Sequence, residues 1–393
     1  MMNRRAISIA ALLGLSLLTA TVIRAEDEFK PKMDFKGSRI AAGYLDAEPD
    51  AASYSDSTFG VPEVKFRLNY QVAPDAKMTF RANLNNGTFS DVDYAYLDYS
   101  NALAKLIPSL KGSAFNPNIR LGKIKLDIGE ETWGNNMVEA ATINPSSTNT
   151  GAYDEAIQLF QSLPKEKLGI PVKWSLSVSN GNSISGADNK NDKAFCMKLG
   201  ANPIKELYVS ASYYNSGELG TGAAAMSYAG LTARPTNSTE WRRIITEIDL
   251  RYDIQPGKEN RLEPTGPAFS DSKAFFRVAY GQFKDDGKDT VAPILTVTDR
   301  EGTYYFIDAT YNATDKIYVA GRYSQVGFNK DTLLASLNKV TCNQFTRITT
   351  DIGYRMSDNT HIKAEYMTNS EDVAAGVTEP GNNQYSVILA VKF

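Results

Sequence analysis

The chain has 393 residues, a formal net charge of −3 at pH 7, a sequence pI near 5.5 and a mean hydropathy of −0.33. This charge balance argues against a general nucleic-acid-binding protein, because such proteins neutralise phosphates with an excess of Lys and Arg. One histidine, His361, and two cysteines, Cys196 and Cys342, are too few for a zinc centre built from about four such ligands. We therefore expect no metal site and no other cofactor.

The N-terminal segment is typical of an export signal. Arg4 and Arg5 precede an apolar run over residues 6–23, and Ala25 leads into acidic, polar sequence. This order predicts a signal peptide over residues 1–25 that is removed from the mature protein. An uncleaved membrane anchor is the alternative, because the apolar run is long for a signal. After Ala25 no apolar run approaches the ~18 residues that a membrane helix needs.

The remaining chain, residues 26–393, alternates apolar and polar side chains with a period of two, which indicates β-strands. Strand-like runs such as EVKFRLNYQV, RRIITEIDLRYDI and the terminal QYSVILAVKF recur about sixteen times. Each is long enough to cross a bilayer as a tilted strand, which takes ~9–11 residues. Tight turns such as APDA and MSDN alternate with long polar connections. The pattern predicts one all-β domain, a transmembrane antiparallel β-barrel of about 16 strands.

The alternation also predicts which side chains face lipid and which face the lumen. If Phe393 and every second residue before it face lipid, the apolar members of the other strands do so as well, whereas Arg67, Arg243 and Arg347 face inward. The lower ends of the descending strands then place aromatic rings on the lipid face, as an interfacial girdle requires. These rings are Tyr70, Tyr99, Tyr252, Tyr311, Tyr354 and Phe393.

Two features resemble Gram-negative outer-membrane porins of the roughly sixteen-stranded kind. One is the alternating last strand that ends in Phe393. The other is RLGKIKLDIGEETWGNN, residues 120–136, which is similar to the fifth strand and following loop of porins, including the phosphate- and polyphosphate-selective group. The resemblance covers most of the mature chain. It implies a place in the outer membrane among lipid and lipopolysaccharide, a homotrimer, and Phe393 as the signal read by the barrel assembly machinery.

In porins the third outer loop folds inward and narrows the pore, and the resemblance implies the same here. This loop carries Glu130, Glu131 and Glu139. Acids facing bases across a constriction set up a transverse field that orients polar solutes. The bases assigned to the constriction are Arg67, Arg81, Arg120, Lys123 and Lys125, and those of the lumen wall are Arg243, Arg251, Arg277, Arg322 and Arg347.

Lys123 and Lys125 are out of phase with Arg120, so all three face the lumen only if a bulge lies near Gly122.

The segment GTGAAA, residues 220–225, fits a dinucleotide-binding pattern. The preceding strand alternates, however, and no βαβ unit follows, so we interpret this segment as a flexible outer loop. Cys196 and Cys342 fall on distant strands, which predicts two free thiols.

These features predict a water-filled channel for passive diffusion of small hydrophilic solutes and ions, with a mild preference for anions and no enzymatic activity. A barrel plugged by its loops that acts as an adhesin or receptor is the main alternative. An outer-membrane enzyme using His361 is a third reading, but it needs a serine partner that the sequence does not mark. Outer-loop acids, among them Asp285 and Glu371, are either solvated or bridge divalent cations to lipopolysaccharide.

Overall fold

The structure is a computed structural model. It describes residues 29–48, 57–85, 88–111, 113, 116–131, 136–148, 150–182, 192–256, 262, 272–297, 299–333, 341–373 and 375–393. The predicted signal peptide, residues 1–25, lies outside these ranges and stays a prediction.

One antiparallel sheet closes on itself and contains sixteen long strands. Consecutive strands pair around the ring, and β16 pairs with β1, from Gln384 opposite Ala47 to Lys392 opposite Arg39. The predicted all-β barrel and its closing C-terminal strand are confirmed. The strands are β1 (Arg39–Ala47), β2 (Thr58–Ala73), β3 (Ala76–Asn85), β4 (Thr88–Tyr99), β5 (Asn118–Lys125), β6 (Tyr153–Leu163), β7 (Val172–Ser179), β8 (Ala194–Ile204), β9 (Leu207–Asn215), β10 (Glu240–Ile254), β11 (Ala274–Lys288), β12 (Arg300–Asn312), β13 (Ile317–Leu333), β14 (Thr341–Ser357), β15 (Thr360–Val373) and β16 (Gln384–Lys392).

Short elements complete the barrel. The strand Lys32–Asp34 pairs with the end of β2, and the strand Leu219–Gly220 pairs with the start of β10. The helices α1 (Ala102–Leu106) and α2 (Lys165–Leu168) and a 3₁₀-helix (Pro108–Leu110) lie in connections. No helix in the described part of the chain is long and apolar enough to cross a membrane.

The two ends of the barrel differ in their connections. The end that holds the C-terminus, called here the turn rim, has tight connections such as residues 74–75, 205–206 and 358–359. Pro and Asp suit the first of these turns because proline fixes φ and aspartate tolerates turn geometry. The opposite end, called the loop rim, has the longer connections, including residues 126–152 and 216–239.

The inside–outside alternation follows the prediction. Tyr252, Tyr311, Tyr354 and Phe393 are 42–64% exposed on the outer face. Inward-facing positions on the same strands are buried; some are polar, such as Arg251, and others are apolar, such as Phe345. Because side chains alternate between faces, the register of each strand is set by the need to keep its outer face apolar.

The lumen is filled unevenly. A buried apolar cluster lies inside the barrel against β5, β6 and β8–β14 and includes Met226, Tyr228 and Leu231 from the connection 216–239. Ala223 and Ala225, within the GTGAAA segment, are buried with Leu219 against Trp241. The GTGAAA segment therefore lies in a connection of the loop rim, as interpreted, but only Thr221 and Gly222 are exposed, and Ala223 and Ala225 are held by tertiary packing.

Candidate functional site

Described residues of the third connection at the loop rim, residues 126–152, contact lumen-facing side chains of β13–β15. Glu365 on β15 accepts hydrogen bonds from the backbone N–H groups of Ile143 (2.5 Å) and Asn144 (3.2 Å). Lys363, on the same face of β15, donates to the backbone carbonyls of Met137 (2.7 Å) and Ala140. The same part of the connection also contacts the opposite wall, where the Met137 backbone N–H donates to Glu63 on β2 at 2.9 Å.

Two of the three acids assigned to the constriction anchor this connection. Glu130 is 2% exposed, and its carboxylate accepts a hydrogen bond from Lys198 Nζ at 2.6 Å. Glu131 is buried as well, 3.2 Å from Arg322 Nη1, and accepts a hydrogen bond from the Ser146 hydroxyl. Glu130 therefore contacts β8 and Glu131 contacts β13, and neither lines the cavity described next.

A cavity of about 380 Å³ remains between the connection and the wall formed by β1–β6. Glu139 lines it from the connection, and Tyr94, Tyr96 and Tyr153 line it from the wall. This cavity is the candidate functional site, because it brings together one predicted constriction acid and four predicted constriction bases. Six bases line the cavity in all. The predicted ones are Arg67, Arg81, Arg120 and Lys125, and the two others are Arg39 and Lys65.

Most of these bases have carboxylate partners on neighbouring strands. Asp93 lies 2.9 Å from both Lys65 Nζ and Arg81 Nε, and Asp98 binds the Arg120 guanidinium at 2.7 and 2.9 Å. Arg39 contacts Glu63 and also lies 3.5 Å from the Glu139 carboxylate. The six bases therefore face four carboxylates, which leaves an excess of positive charge around the cavity.

Aromatic rings hold two of the guanidinium groups. The Arg81 Cζ atom lies 4.2 Å from the Tyr94 ring centroid. The Arg120 Cζ atom lies 4.2 Å from the Tyr96 centroid and 4.8 Å from that of Phe160. Such cation–π contacts stabilise a fixed orientation of the guanidinium plane. These rings were not predicted as part of the site, although their inward phase on β4 and β6 marks them in the sequence.

The bulge expected near Gly122 is absent from the pairing of β5. Residues 118–125 pair in continuous register with β6, and residues 119–123 pair in continuous register with β4. Gly122 instead has a φ of +132°, and a Cβ atom there would lie 2.3 Å from the Ala95 carbonyl oxygen. Lys125 still lines the cavity, whereas Lys123 Nζ donates to the Val92 carbonyl at 2.6 Å.

The bases assigned to the lumen wall lie inside the barrel but outside the cavity. Arg251 pairs with Asp253 at 3.0 Å, and Arg347 donates to the Asn369 side chain. Asp308 accepts hydrogen bonds from both Arg277 (2.5 Å) and Arg322 (3.1 Å).

The described part of the chain contains no group of three or more His, Cys, Asp or Glu residues placed to hold a metal ion. Cys196 and Cys342 form no disulfide, as predicted.

A second connection, residues 216–239, joins the first inside the lumen. Ser227 and Gly151 exchange two backbone hydrogen bonds, of 3.0 and 3.1 Å. Arg243, fully buried on β10, donates to the carbonyls of Met226 and Leu231, both at 2.7 Å, and pairs with Asp285. Burial and the adjacent Asp285 carboxylate raise the pKa of Tyr228, so this hydroxyl stays protonated and donates to Asp285 at 3.2 Å.

No family model matches the chain, and no curated protein matches it. Solved structures do match. The trimer form of OmpT, an outer membrane protein of Vibrio cholerae, is 12% identical with a TM-score of 0.56, over 93% of this chain and 100% of that one. An anion-selective porin from Comamonas acidovorans is 11% identical with a TM-score of 0.54, over 93% and 100%. OmpF of Salmonella typhi, in complex with daunomycin, is 11% identical with a TM-score of 0.50, over 93% and 98%. The chain therefore has the fold of a sixteen-stranded porin barrel.

Proposed function

We propose that this protein is a porin of the Gram-negative outer membrane, through which small hydrophilic solutes and ions diffuse passively. The observation that carries the proposal is the charged cavity between residues 136–145 and β1–β6. The barrel presents an apolar outer face, as a protein surrounded by lipid requires. Its likeness to solved porins of several bacteria supports the same function.

The charges around the cavity support a mild preference for anions. Six bases line the cavity, and four carboxylates pair with them or line it beside them. Low-dielectric walls strengthen the field of this excess positive charge and raise the local concentration of anions. The preference for anions is mild because most of these bases form an ion pair with a neighbouring carboxylate.

The constriction in this proposal has Glu139 on one side and Arg67, Arg81, Arg120 and Lys125 on the other. The remaining predicted acids, Glu130 and Glu131, serve to hold the connection 126–152 against the far wall. Size and charge then screen the solutes, and no group needs to change its protonation state or form a covalent bond. The field across the cavity orients dipolar solutes as they pass.

Electrical recordings test this function. Purified protein, folded in detergent and inserted into a planar bilayer, should carry a steady ion current. A KCl gradient should then give a reversal potential that corresponds to a modest excess of chloride over potassium permeability. Heat-modifiable migration on a gel shows independently that the barrel is folded. Folded protein that carries no current contradicts the channel.

A plugged barrel that acts as an adhesin or receptor is the second candidate. It is favoured by the apolar cluster and the connection 216–239, which together fill the lumen against β5, β6 and β8–β14. Folded protein without current would favour this candidate over the channel. The enzymatic alternative requires His361, which is buried on β15. Unchanged behaviour of the His361→Ala variant would remove this enzymatic alternative.

The assembly state and processing are part of the same proposal. We expect a mature chain that begins after residue 25, a homotrimer in lipid and lipopolysaccharide, and recognition of Phe393 by the assembly machinery. The trimer form of the Vibrio cholerae neighbour supports the homotrimer. N-terminal sequencing of the membrane-extracted protein and its mass by light scattering test the processing and the trimer.

A further inference from the structure

Two connections at the turn rim contain helices, and they lie side by side. Residues 100–117 join β4 to β5 and contain α1, and residues 164–171 join β6 to β7 and contain α2. Because β5 and β6 pair with each other, these two helical connections are neighbours around the rim. Tight turns such as residues 74–75 and 358–359 show that two residues suffice to join strands at this end. The helical connections therefore contain more chain than the barrel needs to close.

Both helical connections expose apolar side chains. Ile107 is 50% exposed in the first, and Leu168 and Ile170 are 51% and 37% exposed in the second. The connection 313–316, at another part of the turn rim, contains Ala, Thr, Asp and Lys and no large apolar residue. Exposed apolar groups are stabilised when they leave water for an apolar environment. One part of the turn rim is therefore suited to contact with lipid.

The backbone of the connection 164–171 holds its apolar side chains outward. The Gly169 N–H donates to the Lys165 carbonyl at 2.7 Å and closes the single turn of α2. Gly169 has a φ of +79°, a left-handed conformation that ends the helix and that other residues rarely adopt. The chain therefore presents Leu168 and Ile170 on a defined turn.

Lysines accompany these apolar residues. The two helical connections contain four lysines and one acid, Glu166. Lys105 pairs with Asp75 at 2.8 Å. The other three, which are also exposed, are Lys111, Lys165 and Lys167. Segments that combine lysines with apolar residues bind anionic membrane surfaces, because the apolar groups enter the acyl boundary while the ammonium groups stay among the headgroups.

The outer wall beside α2 continues this surface. Trp174 and Leu176 face outward on β7 and line an outer groove of about 680 Å³ together with Leu199. Trp174 follows Ile170 by four residues, so it lies at the same end of the barrel as α2. Tryptophan is enriched at the membrane–water interface. The connection 164–171 is therefore continuous with the apolar outer face at headgroup level.

We propose that the two helical connections form a binding surface for anionic phospholipid headgroups, with Lys165 and Lys167 as the principal ligands. Leu168 and Ile170 enter the edge of the acyl region beside Trp174, which places both ammonium groups at the level of the phosphates. This surface lies outside the lumen and gives the barrel a preferred lipid neighbour at one part of its rim. It needs the barrel in a membrane, but it does not need an open channel.

Quenching of Trp174 fluorescence by brominated lipids tests this surface. Of the two other tryptophans, Trp241 is buried, and Trp133 is replaced by Phe in every protein measured. Barrels are placed in vesicles of phosphatidylcholine mixed with brominated phosphatidylglycerol, and then in the same mixture with the bromine on phosphatidylcholine. The two series give the binding constant of the anionic lipid near Trp174 relative to phosphatidylcholine. We expect a preference of about fivefold or more at low salt, which falls as ionic strength rises.

Substitution of both lysines tests their role. Lys165→Gln/Lys167→Gln should reduce the preference to about one, whereas Lys165→Arg/Lys167→Arg should keep it because both charges remain. The matched control is Lys36→Gln/Lys316→Gln, which removes two exposed charges from other parts of the turn rim and should equal the wild type.

Two results would overturn the surface, whether or not the channel conducts. One is a wild-type barrel without a preference for phosphatidylglycerol, and the other is an equal preference in Lys165→Gln/Lys167→Gln. Sedimentation with purified peptidoglycan identifies the competing partner. Binding to this polymer that the same double variant loses, without any lipid preference, would assign the lysines to the cell wall and overturn the proposal.

Discussion

The Glu365 carboxylate binds Asn144 through two of its nitrogen atoms, accepting hydrogen bonds from the side-chain amide at 2.7 Å and the backbone N–H at 3.2 Å. The two residues are 221 positions apart in the chain, and Glu365 is almost fully buried. Hydrogen bonds to an ionised group are roughly twice as strong as neutral ones. This relationship fixes the connection 126–152 to β15 and so sets the width of the cavity on the opposite side.

Replacing Glu365 with Ala should release the middle of this connection. The buried N–H groups of Ile143 and Asn144 lose their acceptor, at a cost of about 1–3 kcal/mol for each unsatisfied group. We expect a larger and noisier single-channel current from folded protein. Asp372→Ala, at an exposed position on the same strand, is the control and should leave the current unchanged. A wild-type current in Glu365→Ala would mean that other contacts suffice to hold the connection.

Replacing Arg243 with Gln should loosen the connection 216–239. The guanidinium is fully buried and binds Asp285 as well as the carbonyls of Met226 and Leu231. Removing one partner of a buried ion pair leaves the other charge buried without compensation and costs about 3–5 kcal/mol of stability. We expect a lower unfolding midpoint in denaturant, cleavage by protease within residues 216–239, and a larger conductance.

The neighbouring Arg242 is the matched control for Arg243. Its side chain is 45% exposed and lies 3.5 Å from Asp192 at the surface. Exposed pairs contribute about 0–1 kcal/mol, so Arg242→Gln should behave like the wild type. Equal effects of the two substitutions would show that the buried contacts of Arg243 do not hold the connection.

The barrel could be predicted from the sequence because its determinant is local. Each strand alternates apolar and polar residues, and a shift of one residue would exchange the two faces. Neighbouring strands in the chain pair with each other, so the order of strands needs no further information. The closing pair of β16 and β1 follows from the same logic, because an open edge is costly in lipid.

The interior could not be predicted in the same way. Glu130, Glu131 and Glu139 lie within ten residues of one another, yet they contact Lys198, Arg322 and Arg39 on three different strands. Their places depend on contacts that are distant in sequence, which no local pattern encodes. The GTGAAA segment shows the same limit, since its burial depends on Trp241 and on the connection that Arg243 holds.

Glu130 and Glu139, two acids of the connection 126–152, should respond differently to neutralisation. Glu139 lines the cavity, so Glu139→Gln should shift the reversal potential in a KCl gradient toward greater anion selectivity. Glu130→Gln should leave selectivity nearly unchanged and instead lower stability, because Lys198 loses a buried partner at 2.6 Å. The two variants control for each other. A selectivity shift from Glu130→Gln as large as that from Glu139→Gln would place both acids at the pore.

Phe393 should matter more for assembly than for the stability of the finished barrel. Its backbone N–H donates to the Ser38 carbonyl at 2.8 Å, and its carbonyl accepts from Gly37 at 2.6 Å. Neither bond needs the ring, which is 64% exposed on the outer face. Phe393→Ala should therefore refold in detergent with a free energy of unfolding within about 1 kcal/mol of the wild type, because exposed substitutions have small effects. In cells, the same variant should reach the outer membrane in reduced amounts, measured by immunoblot of membrane fractions, whereas Phe393→Trp should assemble more fully. Wild-type amounts of Phe393→Ala in the membrane would show that the ring is not part of the assembly signal.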